Sequence, residues 1–316
     1  MTQAELPRNI KEMVSQLRES VQAALSARES RIAVEMPIGF ELGVEGERAK
    51  RKGSARVLTS ADIERANREL ARLFVGMFEG TGLAPLVLFP TEAEAAAAAG
   101  LWASPDLEAR VRALVPHSGV SAENAKPVGA ARARGSGGGG GFGGGGFGNG
   151  GKDSAKKGNA EAPPLTRVPA AAEVVVVVAP YEAQLRAVRE FCDEAGLDKL
   201  VVLLNARLED EMEKTSASRL FFAHGGEGGF QTAYTFLTQP LGLNPREAEG
   251  KDVIKGDPLV LWRSYPGEWV FARKPAIGPP RSLLVRAGSE ARPSVGEMRA
   301  SLDAEPSGLF DRLLGG

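Results

Sequence analysis

Apolar residues at Ile10, Met13, Val14, Leu17, Val21 and Leu25 recur at steps of three and four. That spacing places them on one stripe of a helix, with charged residues on the other face. "RIAVEMP" then reads as a short strand that Pro37 ends. Residues 43–57 are polar and mixed in charge, the composition of a surface loop. "TSADIERANRELARLFVGMF" predicts a second helix. Thr59 and Asp62 have capping-box spacing there, and Ile63, Ala66, Leu70, Phe74 and Met77 form its inward face. "PLVLFP" is a second apolar strand, and "TEAE", with Thr91 three residues before Glu94, starts an alanine-rich helix that ends near Gly100.

Between Pro116 and Pro169 the periodicity disappears and Gly, Ala, Pro and Ser dominate, the composition of a flexible connection. Order returns with "EVVVVVAP" and the helix "YEAQLRAVREFCDEAG", with Leu185, Val188, Phe191, Cys192 and Ala195 inward, and then "KLVVLLN". Strand and helix thus alternate, and each strand is apolar throughout, as in a parallel sheet covered on both faces. After Asn205 the pattern changes. "FQTAYTFLTQPL", "DPLVLWRSYPGEWVFARK" and "RSLLVRAG" read as antiparallel strands, with Tyr265-Pro266-Gly267 turning a hairpin, and "SVGEMRASLDA" as a closing helix. The expected fold class is α/β: a largely parallel sheet flanked by helices, with an antiparallel β-rich C-terminal extension. The expected organisation is one α/β domain over residues 1–316, interrupted by a disordered glycine-rich insertion at about 118–168.

Composition narrows the chemistry more than it names it. The chain has 316 residues, 43% apolar and 25% charged, with a net charge of −1. No global field would therefore drive it onto nucleic acid or anionic lipid. One cysteine, Cys192, excludes an internal disulfide framework. With only His117 and His224 beside it, neither a metal centre nor a cofactor is expected. No apolar run approaches the roughly 20 residues of a membrane helix. Glu5, Glu12 and Glu19 argue against an organellar transit peptide at the start of this sequence. For an organellar protein, the targeting segment is expected to lie outside it.

The tract "GSGGGGGFGGGGFGNGGK" contains a near match to a phosphate-binding loop, from Gly146 to Gly151-Lys152. Such a loop must leave a strand and open a helix, and Ser or Thr must follow the lysine to hold magnesium. Here Asp153 follows, and Pro163 and Pro164 break any helix. Lys126, Arg132, Arg134, Lys152, Lys156 and Lys157 around Phe142 and Phe147 have the makings of a weak single-strand RNA tract, but RGG repeats are missing. The tract reads as a tether or surface loop.

In open α/β sheets, ligands sit outside the carboxyl ends of the strands. Those ends carry Glu35 and Pro37, Pro90 and Thr91, Pro180 and Tyr181, and Asn205 with Arg207. Glu35, Asn205 and Arg207 are the candidate cleft residues, set against strand termination and helix capping. "LEDEMEK" (Glu209, Asp210, Glu211, Glu213) reads as a solvated acidic turn, since it lacks a calcium-loop pattern. Cys192, on an apolar helix face, reads as core. No catalytic arrangement of Ser, His and Asp is legible. The densest functional-looking segment is "WRSYPGEWVFARK". Aromatic residues with arginine are enriched at interfaces, so Trp262, Arg263, Tyr265 and Trp269 are candidate partner-binding residues, with at least one tryptophan expected to face outward. The alternative is a hairpin that uses its aromatics to pack the sheet.

The succession "VEMP", "ELARLF", "VLFPTEAEA", "VVVVAP", "VVLLNARL", "RLFFAHGGEGGFQTAYTFLTQPL" and "LWRSYPGEWVFARK" resembles one family. It is the plant, algal and cyanobacterial domain of unknown function found in assembly factors of the low-photosystem-II-accumulation-three type. A similar domain is appended to a chloroplast adenylate kinase. The resemblance covers nearly the whole chain outside the insertion and is most specific at "NARL" and "RSYPGEW". It implies a factor in the chloroplast stroma or at the stromal face of the thylakoid, assisting photosystem II assembly or maintenance, and it implies no established chemistry. The leading reading is a non-enzymatic factor that works through a protein partner. Two other readings stay open: an α/β domain that binds or converts a nucleotide or phosphorylated metabolite, and a plastid RNA-associated protein.

Overall fold

The computed structural model describes residues 5–36, 60–83, 85–102, 110–114, 168–196, 198–206, 229–238, 259–275, 279–288 and 292–305. Its strands are β1 (Arg31–Glu35), β2 (Leu86–Phe89), β3 (Val111–Ala113), β4 (Val174–Val178), β5 (Leu200–Leu204), β6 (Gln231–Thr238), β7 (Leu259–Ser264), β8 (Trp269–Arg273) and β9 (Arg281–Arg286). The helices are α1 (Ile10–Ser26), α2 (Ser60–Gly76), α3 (Glu92–Trp102), α4 (Glu182–Glu194) and α5 (Val295–Asp303). Among the described residues nine strands join one sheet in the order β3-β2-β4-β5-β1-β6-β7-β8-β9. From β3 to β6 every pairing is parallel, and from β6 to β9 every pairing is antiparallel. The class is α/β.

The parallel half follows from its sequence. The five valines of β4 are all buried, and valine suits a pleated surface covered on both sides. Burying each contributes roughly 1.5–3 kcal/mol relative to leaving it exposed. Alternate residues feed two cores. Val174, Val176 and Val178 join the layer under α1, α2 and α3, while Val175 and Val177 face Leu185, Val188 and Cys192 of α4. Over the antiparallel half, α1 covers the first face, where Phe236 and Trp262 lie. On the second face Met298 of α5 packs with Trp269 and Phe271.

Several expectations change in detail. β6 pairs antiparallel only with β7; its other edge runs parallel to β1, so the parallel sheet extends one strand past Asn205. β3 is an additional parallel strand of three residues, hidden in the sequence by Arg110 and Arg112. α3 continues past Gly100 to Trp102, which packs edge-on against Phe89. In α1 the buried line is Met13, Leu17, Ser20, Val21 and Ala24, and Leu25 turns outward, 37% exposed. Ser20 is tolerated there because its hydroxyl bonds the Gln16 carbonyl at 2.7 Å and the Ser264 hydroxyl at 2.6 Å.

Arg31 is an arginine in a strand that is buried along its whole length. Its guanidinium donates to the carbonyls of Lys199 (2.6 Å), Cys192 (2.9 Å) and Gly196, so it closes the C-terminal end of α4 from a neighbouring strand. The hairpin forms as expected, with its turn at Tyr265–Glu268 and a cis Tyr265–Pro266 bond. Among the described residues no helix is long and apolar enough to cross a membrane. The loop at 43–57, the glycine-rich insertion, the acidic turn, both histidines, Pro37 and Thr59 lie outside the described residues.

Candidate functional site at the strand ends

The order of the sheet fixes where its loops part. After β2 the chain enters α3 on the first face; after β4 it enters α4 on the second. Since β2 and β4 are neighbours, their carboxyl ends leave in opposite directions and open a crevice, the usual ligand position in this architecture. Two residues at the strand ends adopt left-handed backbone without being glycine: Ala179 after β4 (φ 39°) and Asn205 after β5 (φ 53°). That conformation is uncommon for a residue with a Cβ, and such outliers concentrate at functional sites.

Each wall of the crevice is a helix start. Thr91 caps α3, accepting from the Glu94 backbone N–H at 3.2 Å. Tyr181 precedes α4, and its backbone N–H donates to the Gln184 side chain at 3.0 Å. The amide of Gln184 in turn donates to the Pro90 carbonyl at 2.7 Å, tying the end of β2 to the start of α4. Glu94 and Gln184 are buried, whereas Thr91 and Tyr181 are partly exposed at the rim. The Tyr181 hydroxyl faces Glu94 Oε1 at 3.4 Å.

From α2, Glu64 and Arg68, partly exposed and one helical turn apart, complete the group. Burial pushes the Glu94 carboxyl up to about 7; the Glu64 carboxylate adds to the rise, and Arg68 and the Tyr181 hydroxyl oppose it. Burial also pushes the Tyr181 phenol up to about 12, with Glu94 and Glu64 adding to it. Near neutral pH the crevice thus holds a proton-exchanging carboxyl, a phenol and a guanidinium. Such a set has the chemistry to bind oxygen-bearing groups. Among the described residues no group of three His, Cys, Asp or Glu is arranged to hold a metal ion.

The cleft residues read from the sequence do not converge. Asn205 lies at the sheet end, but its carboxamide is spent on structure. It accepts from the Met36 N–H at 2.7 Å and donates to Asn67 of α2 at 3.0 Å. The left-handed turn carries the side chain to the α2 side. Glu35 instead binds Arg292, just before α5, at 3.2 Å, and both are more than nine-tenths buried. Arg207 lies outside the described residues.

The hairpin also departs from expectation, because neither tryptophan faces outward. Trp262 is 4% exposed and Trp269 1%. They sit on opposite faces, Trp262 under α1 and Trp269 under α5, so each has a layer to cover it. Arg263 is opposite Trp269 in the register and 4% exposed, with its guanidinium 5.1 Å from the Trp269 ring centre. Gln231, with its amide oxygen turned inward, accepts from both terminal nitrogens of Arg263 at 2.8 and 3.2 Å. Tyr265 is half-buried against the first core. These side chains pack the sheet and do not present an outer surface. Cys192 is core as expected, its thiol pushed up to about 11 by burial.

Sequence reasoning reached Pro90, Thr91 and Tyr181 as strand-end residues but missed Glu64, Arg68, Glu94 and Gln184. Glu94 reads as an ordinary cap residue until its burial is known. The available signal was Tyr181 followed three positions later by Gln184, a capping spacing that marks the second wall.

No curated protein and no solved structure shows significant similarity to the chain. The family described as Domain of unknown function (DUF1995) matches residues 7–300, which takes in α1, all nine strands and most of α5. The chain belongs to that family of domains of unknown function.

Proposed function

We propose that this chain is a plastid factor that assists assembly or maintenance of photosystem II by contact with a protein partner. Its resemblance to factors of the low-photosystem-II-accumulation-three type implies that role. The observation that supports a contact role is the outer face of α3. From Ala95 to Trp102 this helix has no charged residue, so it is apolar all round. Only one side meets the sheet; Ala93, Ala96, Ala97, Gly100 and Leu101 face away from it, Leu101 being 55% exposed. A helix without a polar face is normally covered on both sides, and interface centres are depleted of charge in the same way. The partner expected is a protein that lays an apolar helix or loop on this face.

The test is affinity capture from stromal and thylakoid fractions with the wild-type chain and with Ala97→Glu and Leu101→Glu. Photosystem II subunits or assembly intermediates should be recovered by the wild type and reduced at least about tenfold by either variant, the loss expected for a charge buried at an interface centre. Circular dichroism should be unchanged. Absence of photosystem II components from the wild-type capture, or equal recovery by the variants, would overturn the proposal.

A further inference from the structure

We propose that the crevice between the ends of β2 and β4 binds a small organic oxyanion, a carboxylate or phosphate group, with the guanidinium of Arg68 as its anchor. This inference does not depend on the partner contact above, which uses the opposite side of α3.

Arg68 carries the argument. Its Nε is fully buried and has no hydrogen-bond partner among the described residues. A buried donor on a charged group is costly to leave unmade, more so than a neutral one. Two carboxyl groups are close enough to act on one another electrostatically, Glu64 and Glu94, yet neither accepts from that Nε. The edge of a guanidinium offers two parallel N–H groups, a match for two oxygens of a carboxylate or phosphate. An oxyanion entering the crevice supplies the acceptor the fold leaves out.

The surroundings favour an anion over a cation. Helices α3 and α4, of 11 and 13 residues, both begin at this crevice, so their positive ends face it. The Tyr181 hydroxyl donates to Glu94, so the pair adds one free O–H donor when the Glu94 carboxyl is protonated. Gln184 is already committed to Pro90 and Tyr181, so it sets the width of the opening and does not select the ligand. The hollow of about 110 Å³ at the start of α1 offers less. There Lys274 donates to the Pro7 carbonyl and Arg8 pairs with Glu5.

The charges facing Glu94 give the site a recognisable signature. Those charges are Glu64 and Arg68 on α2, with the Tyr181 phenol on α4. A bound anion and an ionised Glu94 repel, so above about pH 7 binding must take up a proton. Affinity should therefore weaken about tenfold between pH 6 and pH 8.

The probes are inorganic phosphate and succinate, each compared with sodium chloride at equal ionic strength. Binding is read by thermal unfolding and by titration calorimetry on the full chain. Phosphate or succinate should raise the melting temperature above the chloride control; the stronger of the two identifies the ligand as phosphorylated or carboxylic. The rise should vanish in Arg68→Met, and Arg68→Lys should weaken binding about tenfold or more, because lysine lacks the fork. Glu94→Gln should still bind, with the pH dependence that is specific to the wild type removed. Ala97→Glu should bind as the wild type does, which separates this site from the partner face. No rise with either anion, or a rise that Arg68→Met leaves intact, overturns the proposal. Should Arg68→Met fail to fold, undiminished binding by Arg68→Lys overturns it equally.

Discussion

A single carboxyl group, Glu94, folds into a place where little water reaches it, and its proton records the cost. In the unfolded chain it titrates near 4.5, and in the crevice at about 7. Between those values the folded state keeps a proton that the unfolded state has lost. Stability from this group is complete below about pH 4.5 and falls as pH rises through about 7. At about 1.4 kcal/mol per pH unit, the loss is on the order of 3 kcal/mol. Glu94→Gln cannot ionise, so urea unfolding should find it close to the wild type at pH 4.5 and more stable by up to about 3 kcal/mol at pH 8. A difference that stays constant across that range would show that Glu94 does not hold its proton on folding. The Glu35–Arg292 pair shows the contrasting case, two buried charges paired with each other at 3.2 Å.

At the scale of elements, the closest backbone approach among the described glycines is between the end of β9 and the hairpin turn. A Cβ on Gly288 would fall inside the Gly267 carbonyl oxygen and 2.9 Å from that of Pro266. Neither oxygen is the end of a flexible side chain, so the turn itself would have to move. Gly288→Ala should cost roughly 2–3 kcal/mol, seen as a lower urea midpoint. Gly296→Ala is the control, since its added carbon meets only the Ser294 hydroxyl at 3.9 Å. Equal midpoints for the two variants would show that the turn adapts. Legibility also divides at this scale. β4 and β5 were readable because five consecutive apolar residues admit few other placements. β3 was not, because its pairing comes from β2 and its own three residues say little. The tryptophans misled for a similar reason: their sequence gives alternation along a strand, but not that α1 lies over one face and α5 over the other. Arg68 and Glu94 were invisible as a pair because two different helices bring them to one strand end.

For the whole molecule, the decisive fact is that the first of the described strands is an interior strand of the sheet. β1 is flanked by β5 and β6, which begin at Leu200 and Gln231. Neither half of the chain contains the centre of the fold. A fragment of residues 1–170 should therefore lack cooperative unfolding and elute as expanded or aggregated material, measured by circular dichroism and size-exclusion chromatography. A compact monomeric fragment with a sharp transition would contradict this. The same arrangement sets a timetable on the ribosome. At about 5–20 residues per second, β1 waits on the order of ten seconds or more after synthesis before β5 exists to pair with it. During that interval a buried-type strand is exposed along both edges, open to pairing with a neighbouring nascent chain. This protein is thus committed to folding late, and its yield in a cell should depend on chaperones that hold the N-terminal third until the later strands emerge.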